Sequence, residues 1–324
     1  MTTYIIRRLI QAVAVLFLLS LLFFLLVRLQ ATSCQSLGCT ELLKLDQPVA
    51  TQYVSWMGSI LSGNLGYSGT GVPIGAEISQ RLPATIILVG FSLIIQQLIA
   101  LPLGMLAAVR QFSVFDQSLT LLSYVLLSLP AFVLGITLIY VIVASFGWLA
   151  AAHSVAGTLP LLGSPGWFSA LAHDPPFVLG DLMRHLTLPA SALIATGIAV
   201  DSRFMRAAML QVLHQDYIRT ARAKGVSSRV IIFKHALRNA ILPVVTNFGL
   251  YVTSLIGGVV VVETVFSWGG VGQLFADSLR GQLGGEDYPT LQALLMLSAV
   301  TVLLANLLAD LAYAWLDPRI RYEE

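Results

Sequence analysis

The stretch ATIILVGFSLIIQQLIALPLGMLAAV, from Ala84 to Val109, holds 26 residues and no charged side chain. A helix of roughly 20 apolar residues crosses the ~30 Å hydrocarbon core of a bilayer, so this run is read as a transmembrane helix. Five further stretches read the same way, from about Leu9 to Leu29, Ser118 to Phe146, Leu186 to Val200, Ala240 to Val262 and Thr290 to Ala312. The fourth span, Leu186 to Val200, is the shortest and is followed at once by Asp201 and Arg203. Composition agrees with a lipid-facing chain. Of 324 residues 57% are hydrophobic and only 10% charged, where a soluble domain carries about 25% charged residues. The expected fold class is all-α, a polytopic membrane protein with six transmembrane helices. Pro102, Pro130 and Pro189 would disrupt soluble helices but are tolerated in a bundle whose neighbours satisfy the freed carbonyls.

Arg7 and Arg8 precede the first span and small residues follow it, as in a signal peptide. A signal core is only about 7–15 residues long, so a retained span is expected. With the N-terminus inside, 13 of the 18 basic residues fall on internal segments, eight of them between Arg203 and Arg238. The positive-inside bias places both termini in the cytoplasm. Residues 1–83 then form a first helix and an external loop, and 84–312 a transmembrane core containing a long cytoplasmic loop at 201–239. Residues 313–324 form a cytoplasmic tail. The external loops are 30–83, 147–185 and 263–289. Cys34 and Cys39 lie in the first of these, and a disulfide and two free thiols are equally compatible with their spacing. Trp148, Trp167, Trp268 and Trp315 fall near span ends, as an interfacial belt would.

Ion-coupled carriers display ionisable residues deep in their helices. The second, third and fifth spans have none, and their polar groups are of the kind of Gln96, Gln97, Asn247 and Thr253. Asp201 and Asp310 are read as inner-end positions paired with basic neighbours. No phosphate loop of the Gly-x-x-x-x-Gly-Lys-Ser/Thr type occurs, so an energy source must come from another subunit. His153, His173 and His185 are spaced by 20 and 12 residues, which matches no compact metal motif, and no metal site is expected. Gly269-Gly270-Val271-Gly272 reads as a turn. No triad or carboxylate pair points to an enzyme.

The cytoplasmic loop carries the most pattern. Residues 203–224 read as one helix, closed by Gly225, which can take the left-handed conformation. Ser227 or Ser228 then caps a second helix through Ile231, Phe233 and Leu237 to Pro243. The result is a hairpin with a basic outer face and an apolar inner one. Anionic lipid headgroups would satisfy its charges individually, but a jutting hairpin transmits force only if it docks into a partner.

The run Asp216-Tyr217-Ile218-Arg219-Thr220-Ala221-Arg222-Ala223-Lys224-Gly225, continued by His235-Ala236-Leu237-Arg238-Asn239-Ala240, resembles the loop of ATP-binding-cassette importer permeases of the dipeptide/oligopeptide/nickel subfamily. Registered on Gly225, Arg219, Thr220 and Ala221 stand where the general family has Glu-Ala-Ala. His235, Leu237 and Arg238 stand on its Ile-x-Leu-Pro, a departure that is itself the subfamily's. The resemblance extends over the chain through Arg81-Leu82-Pro83-Ala84-Thr85, Ser128-Leu129-Pro130-Ala131-Phe132, His185-Leu186-Thr187-Leu188-Pro189-Ala190, Glu263-Thr264-Val265-Phe266-Ser267-Trp268 and Leu316-Asp317-Pro318-Arg319. The family's Pro-Gly-Asp-Pro after the first span is missing, and its Trp-Pro-Gly is Trp268-Gly269-Gly270 here.

The resemblance implies a type I importer permease fold in a bacterial or archaeal cytoplasmic membrane. It further implies a second homologous permease subunit, two ATPase subunits that bind the ATP and Mg, and an external solute-binding protein that delivers short peptides. This chain itself would bind no cofactor. Arg219, Thr220, Ala221, Arg222, Ala223, Lys224 and Gly225 would couple to the ATPases, and Gln96, Asn247, Thr253 and Ser254 would line the pathway. Nickel or another small solute is the alternative cargo, and a stand-alone channel or ion-coupled carrier the alternative class.

Overall fold

A computed structural model describes residues 2–30, 47–146, 159–160, 162–241, 244, 259–280 and 287–316. Its helices are α1 (Thr2–Gln30), α2 (Val49–Leu61), α3 (Ile74–Val109), α4 (Val114–Ser128), α5 (Ala131–Phe146), α6 (Pro165–His173), α7 (Pro175–Leu213), α8 (Asp216–Ala223), α9 (Ser228–Val230, opening into a π-helix over Ile231–Ala236), α10 (259–265), α11 (Val271–Arg280) and α12 (Tyr288–Leu316). Among the described residues no strand forms, as the all-α expectation requires.

Among the described residues four helices, α1, α3, α7 and α12, are long and apolar enough to cross a bilayer, and α4 with α5 makes a fifth if that pair is one bent span. The stretch expected to cross as one helix from Ser118 to Phe146 is bent by 101° at Leu129–Pro130. Leu129 is extended there, at φ −94° and ψ 123°, because a proline ring clashes with a helical residue before it. Pro102 and Pro189 lie within unbroken helices. The expected fifth span falls largely outside the described residues, as do Cys34, Cys39, Trp148 and His153. The shortest expected span is the core of the longest helix: α7 has 39 residues, or ~58 Å at 1.5 Å each.

The chain divides into two compact units. The first comprises residues 1–87, 152–185 and 259–304. Here Phe24 and Val27 of α1 bury against Trp56 of α2, with the Phe24 ring 5.4 Å from Tyr53 and 5.7 Å from Trp56. The Tyr53 hydroxyl meets Ser20 Oγ at 2.7 Å, and the Arg28 guanidinium donates to Gln52. Much of the rest of α1 is exposed and apolar, including Ile10, Val13 and Leu18, a surface suited to lipid.

The same unit holds a buried carboxylate. At the end of α10 the chain reverses through Ser267 (φ 49°) and Gly269 (φ 80°), with Trp268 N donating to Glu263 O at 2.9 Å. The reversal aims α11 at the Glu263 side chain, which is fully buried. Thr85 Oγ1 donates to its Oε1 at 2.6 Å and Gln273 N to its Oε2 at 3.1 Å. Thr85 Oγ1 also accepts from Val271 N at 2.8 Å, and Trp268 Nε1 donates to Ala84 O at 2.8 Å. A Cβ at Gly270 would overlap the Glu263 carboxylate, and one at Gly272 would lie 2.7 Å from Val260 Cα. The glycine run is a turn only at Gly269 and Gly270, since Val271 and Gly272 already belong to α11, and its missing side chains let backbone reach a carboxylate. Trp167 and Trp268 are interior side chains, only 5% and 4% exposed, and not members of an interfacial belt. The indole of Trp268 is drawn inward by its bond to Ala84 O, and that of Trp167 packs edge-on to Phe168 at 5.3 Å.

The second unit comprises residues 88–151, 186–258 and 305–324. Along α3, Ser92, Gln96, Ala100, Gly104 and Ala108 recur every fourth residue and are all buried, so they share one helix face. A Cβ at Gly104 would overlap Ser202 O and lie 2.8 Å from Met205 Cβ. Lacking that carbon, α3 and α7 approach closely, as small residues permit between membrane helices. Beyond this crossing Arg206 of α7 grips Asp116, Nε to Oδ1 at 2.5 Å and Nη2 to Oδ2 at 2.8 Å. Asp116 Oδ2 also accepts from Phe112 N at 3.0 Å, which holds Phe112 at φ 62°.

Candidate functional site: the 214–241 hairpin and the Asp201 cluster

The expected single helix over 203–224 is broken at His214 and Gln215. Gln215 is extended (ψ 150°) and Asp216 opens α8, where its charge suits the helix dipole. No glycine or proline marks the break, and packing explains it. The new direction brings Ile218, fully buried, onto Ala108, Met205, Ala208 and Met209, a burial worth about 2 kcal/mol.

Helix α8 ends as the sequence predicts. Gly225 has φ 76°, its N–H bonds Arg222 O at 3.0 Å, and Val226 N–H bonds Ala221 O at 3.2 Å. This pair of bonds is the Schellman motif, completed by an apolar contact across the turn; Val226 and Ala221 both pack on the Ile218 cluster. Ser227 stands at the cap of α9 without a side-chain cap bond. The return arm is not a plain α-helix. Its buried residues are Ile231, Ala236 and Ala240, spaced by five and then four, the extra residue being absorbed in the π-turn. Asn239 Nδ2 joins the arms by donating to the Tyr217 hydroxyl at 2.7 Å and to His235 O at 3.2 Å.

Of the residues expected to couple to a partner, Arg219, Thr220, Arg222, Ala223, Lys224 and Gly225 are exposed, whereas Ala221 packs inward. Arg229, Lys234 and Arg238 extend the basic surface, and Phe233, 58% exposed, adds an apolar knob. The Arg219–Asp216 pair spans 3.7 Å with both side chains exposed, so it adds little stability.

Among the expected pathway residues, Asn247, Thr253 and Ser254 lie outside the described residues. Gln96 is fully buried and donates through Nε2 to Asp201 Oδ2 at 2.5 Å, and Gln97 Nε2 donates to the same oxygen. Asp201 is thus partnered by amides and not by the expected basic neighbours. Arg203 instead lies over the Tyr124 ring, 4.2 Å from its centroid, and bonds the Tyr124 hydroxyl at 3.3 Å, and Arg206 is held by Asp116. The side chain of Asp310 is outside the described residues. His173 and His185 each bond a main-chain oxygen one turn back, Ser169 O and Asp181 O, at 2.8 Å.

Sequence reasoning missed the tie between Thr85 and Glu263, 178 residues apart. The two motifs were each visible, but nothing in their spacing connects them. Burial pushes the Glu263 carboxyl above the ordinary glutamate value, with the bonds from Thr85, Gln273 and Gly272 acting in the opposite direction.

Comparison with known proteins agrees with this architecture. Over residues 100–322 the sequence matches the family described as the binding-protein-dependent transport system inner membrane component. The oligopeptide transport system permease protein AppB of Bacillus subtilis is 38% identical, over 99% of this chain and 100% of its own. The glutathione transport system permease protein GsiC of Escherichia coli O6:H1 is 35% identical over the whole of both chains. The dipeptide transport system permease protein DppB of Escherichia coli K12 is 37% identical, over 87% of this chain and 84% of its own. A helical chain with several apolar spans, a glycine-closed hairpin and a family match over most of its length thus belongs to the inner-membrane components of binding-protein-dependent transport systems.

Proposed function

We propose that this chain is one of two permease subunits of an ATP-driven importer of short peptides in a bacterial inner membrane, with both termini cytoplasmic. The observation that carries the reading is the 214–241 hairpin: an exposed basic surface with an apolar knob, rooted through Ile218 in the helices it would move. A surface buried at its root and open at its tip suits a lever. ATP and Mg would be bound by two ATPase subunits, each offering a groove, and residues 219–225 would seat in one of them. Closure of the ATPases on ATP would push α8, and the Ile218 cluster would pass the displacement to α7 and α3. An external solute-binding protein would supply the cargo. Peptide cargo is favoured by relatives whose names refer to oligopeptide, dipeptide and glutathione transport.

The test is uptake by vesicles holding the full set of subunits. ATP-dependent peptide accumulation is expected, and Gly225→Pro, which cannot take φ 76°, should abolish it while membrane insertion persists. Normal uptake by that variant, or accumulation by the chain alone, would overturn the reading.

A further inference from the structure

We propose that Asp201, clasped on one carboxylate oxygen by Gln96 and Gln97 and with no hydrogen bond to the other among the described residues, is a binding point for the ammonium group of the transported peptide midway across the membrane. The inference rests on the peptide-permease reading above. Depth comes first. The apolar run 84–109 is bounded by Arg81 and Arg110, and Gln96 and Gln97 are its two central residues. Asp201 bonds both, so its carboxylate lies at their level and not at the inner end of the bilayer.

Bonding comes second. Both amides donate to Oδ2, and Oδ1 accepts no hydrogen bond among the described residues. The arginines nearest in sequence are engaged elsewhere, Arg203 on Tyr124 and Arg206 on Asp116. Gln96 is fully buried, whereas Asp201 and Gln97 are partly exposed. An intramembrane carboxylate does not face lipid, since hydrocarbon offers it neither hydrogen bonds nor countercharge. The second oxygen, with no hydrogen bond among the described residues, therefore calls for polar surroundings, and a water-filled passage supplies them.

Ligand chemistry follows from what the cluster offers. A negative oxygen excludes anions. One carboxylate is too little for a hard metal ion, which takes six or more oxygens. An ammonium group fits: it donates to Oδ1 in a charge-assisted bond, and one such bond is weak enough to release a passing solute. Every free short peptide carries that group at its N-terminus.

The experiment uses the complete transporter in vesicles, with Cys34 and Cys39 replaced by serine and Gln97→Cys introduced beside Asp201. A cationic and an anionic methanethiosulfonate reagent of similar size are compared. The cationic reagent should react at least about tenfold faster, as a negative potential in a narrow cleft dictates, and Asp201→Asn should bring the ratio near one. Asp201→Asn alone, isosteric at the clasp, should lower peptide uptake while ATP hydrolysis continues. Equal labelling rates with Asp201 intact, or an introduced thiol unreactive toward both reagents at rest and during ATP turnover, would overturn the proposal, the second result meaning that the carboxylate is covered. Peptide uptake unchanged in Asp201→Asn would overturn it too. Labelling needs no peptide, so the inference can fail while peptide uptake by the unmodified complex still succeeds.

Discussion

Glu263, fully buried, and Asp201, partly exposed, are two carboxylates in a chain with few charges, and they are finished differently. At Glu263 both oxygens accept hydrogen bonds, from Thr85 on Oε1 and from Gln273 on Oε2, and two glycines clear the way for backbone. At Asp201 two amides crowd one oxygen, and the other accepts no hydrogen bond among the described residues. The first carboxylate is structural, since its bonds join α3, α10 and α11 within one unit. The second holds bonding capacity that no described residue uses, where such capacity is expensive, and this is the contrast on which the proposed ligand role rests.

The largest effect expected on the structural side of this contrast is for Gly270→Ala. The added carbon overlaps the Glu263 carboxylate, which can yield only by giving up its bonds to Thr85 and Gln273, so destabilisation of about 3 kcal/mol or more is expected. It would appear as loss of detergent-stable protein on size exclusion, and a well-folded variant would break the claim that Glu263 is closed in. Arg206→Ala strands the buried Asp116, which is 3% exposed at its side chain, at a cost of about 3 kcal/mol, and should let the ATPases turn over with little uptake. Glu263→Gln should cost less, and it carries a pH signature. The folded pKa of Glu263 is raised by burial, so its stabilising contribution is complete below the ordinary value of 4.5 and is lost as pH rises through the folded value. Thermal unfolding of wild type should therefore decline relative to the glutamine variant as pH increases above that ordinary value. A parallel pair of curves would remove the desolvation argument. Smallest is Gly225→Ala. No atom lies within 4 Å of the new carbon, and only the left-handed backbone is strained, at about 1 kcal/mol. Stability should barely change, while ATP-coupled uptake reports whether the turn matters for docking.

The legible parts of this molecule were those that depend on near neighbours. The apolar runs announced the membrane helices, and Gly225 announced its turn because a left-handed residue is needed one position past a helix end. What escaped depended on distant partners. The break at His214–Gln215 carries no local signal and follows from the burial of Ile218. Asp201 looked like an inner-end residue because two arginines follow it, yet Tyr124 and Asp116 claim those arginines and α3 supplies the amides. Pro130 was legible as a disturbance but not as a 101° bend, since a proline permits both outcomes, as Pro189 inside α7 demonstrates.

The π-turn at Ile231–Ala236 makes the return arm one residue longer than a regular helix would be. Each residue added to a helix rotates everything after it by about 100°. Deleting a single amino acid inside that segment would restore ordinary winding and swing Ala236 and Ala240 off the cluster they fill, carrying Lys234 or Arg238 toward it. The hairpin's outward face is thus phased by chain length as much as by side-chain chemistry. A frame-preserving loss of three nucleotides there would be more damaging than most substitutions at the same positions.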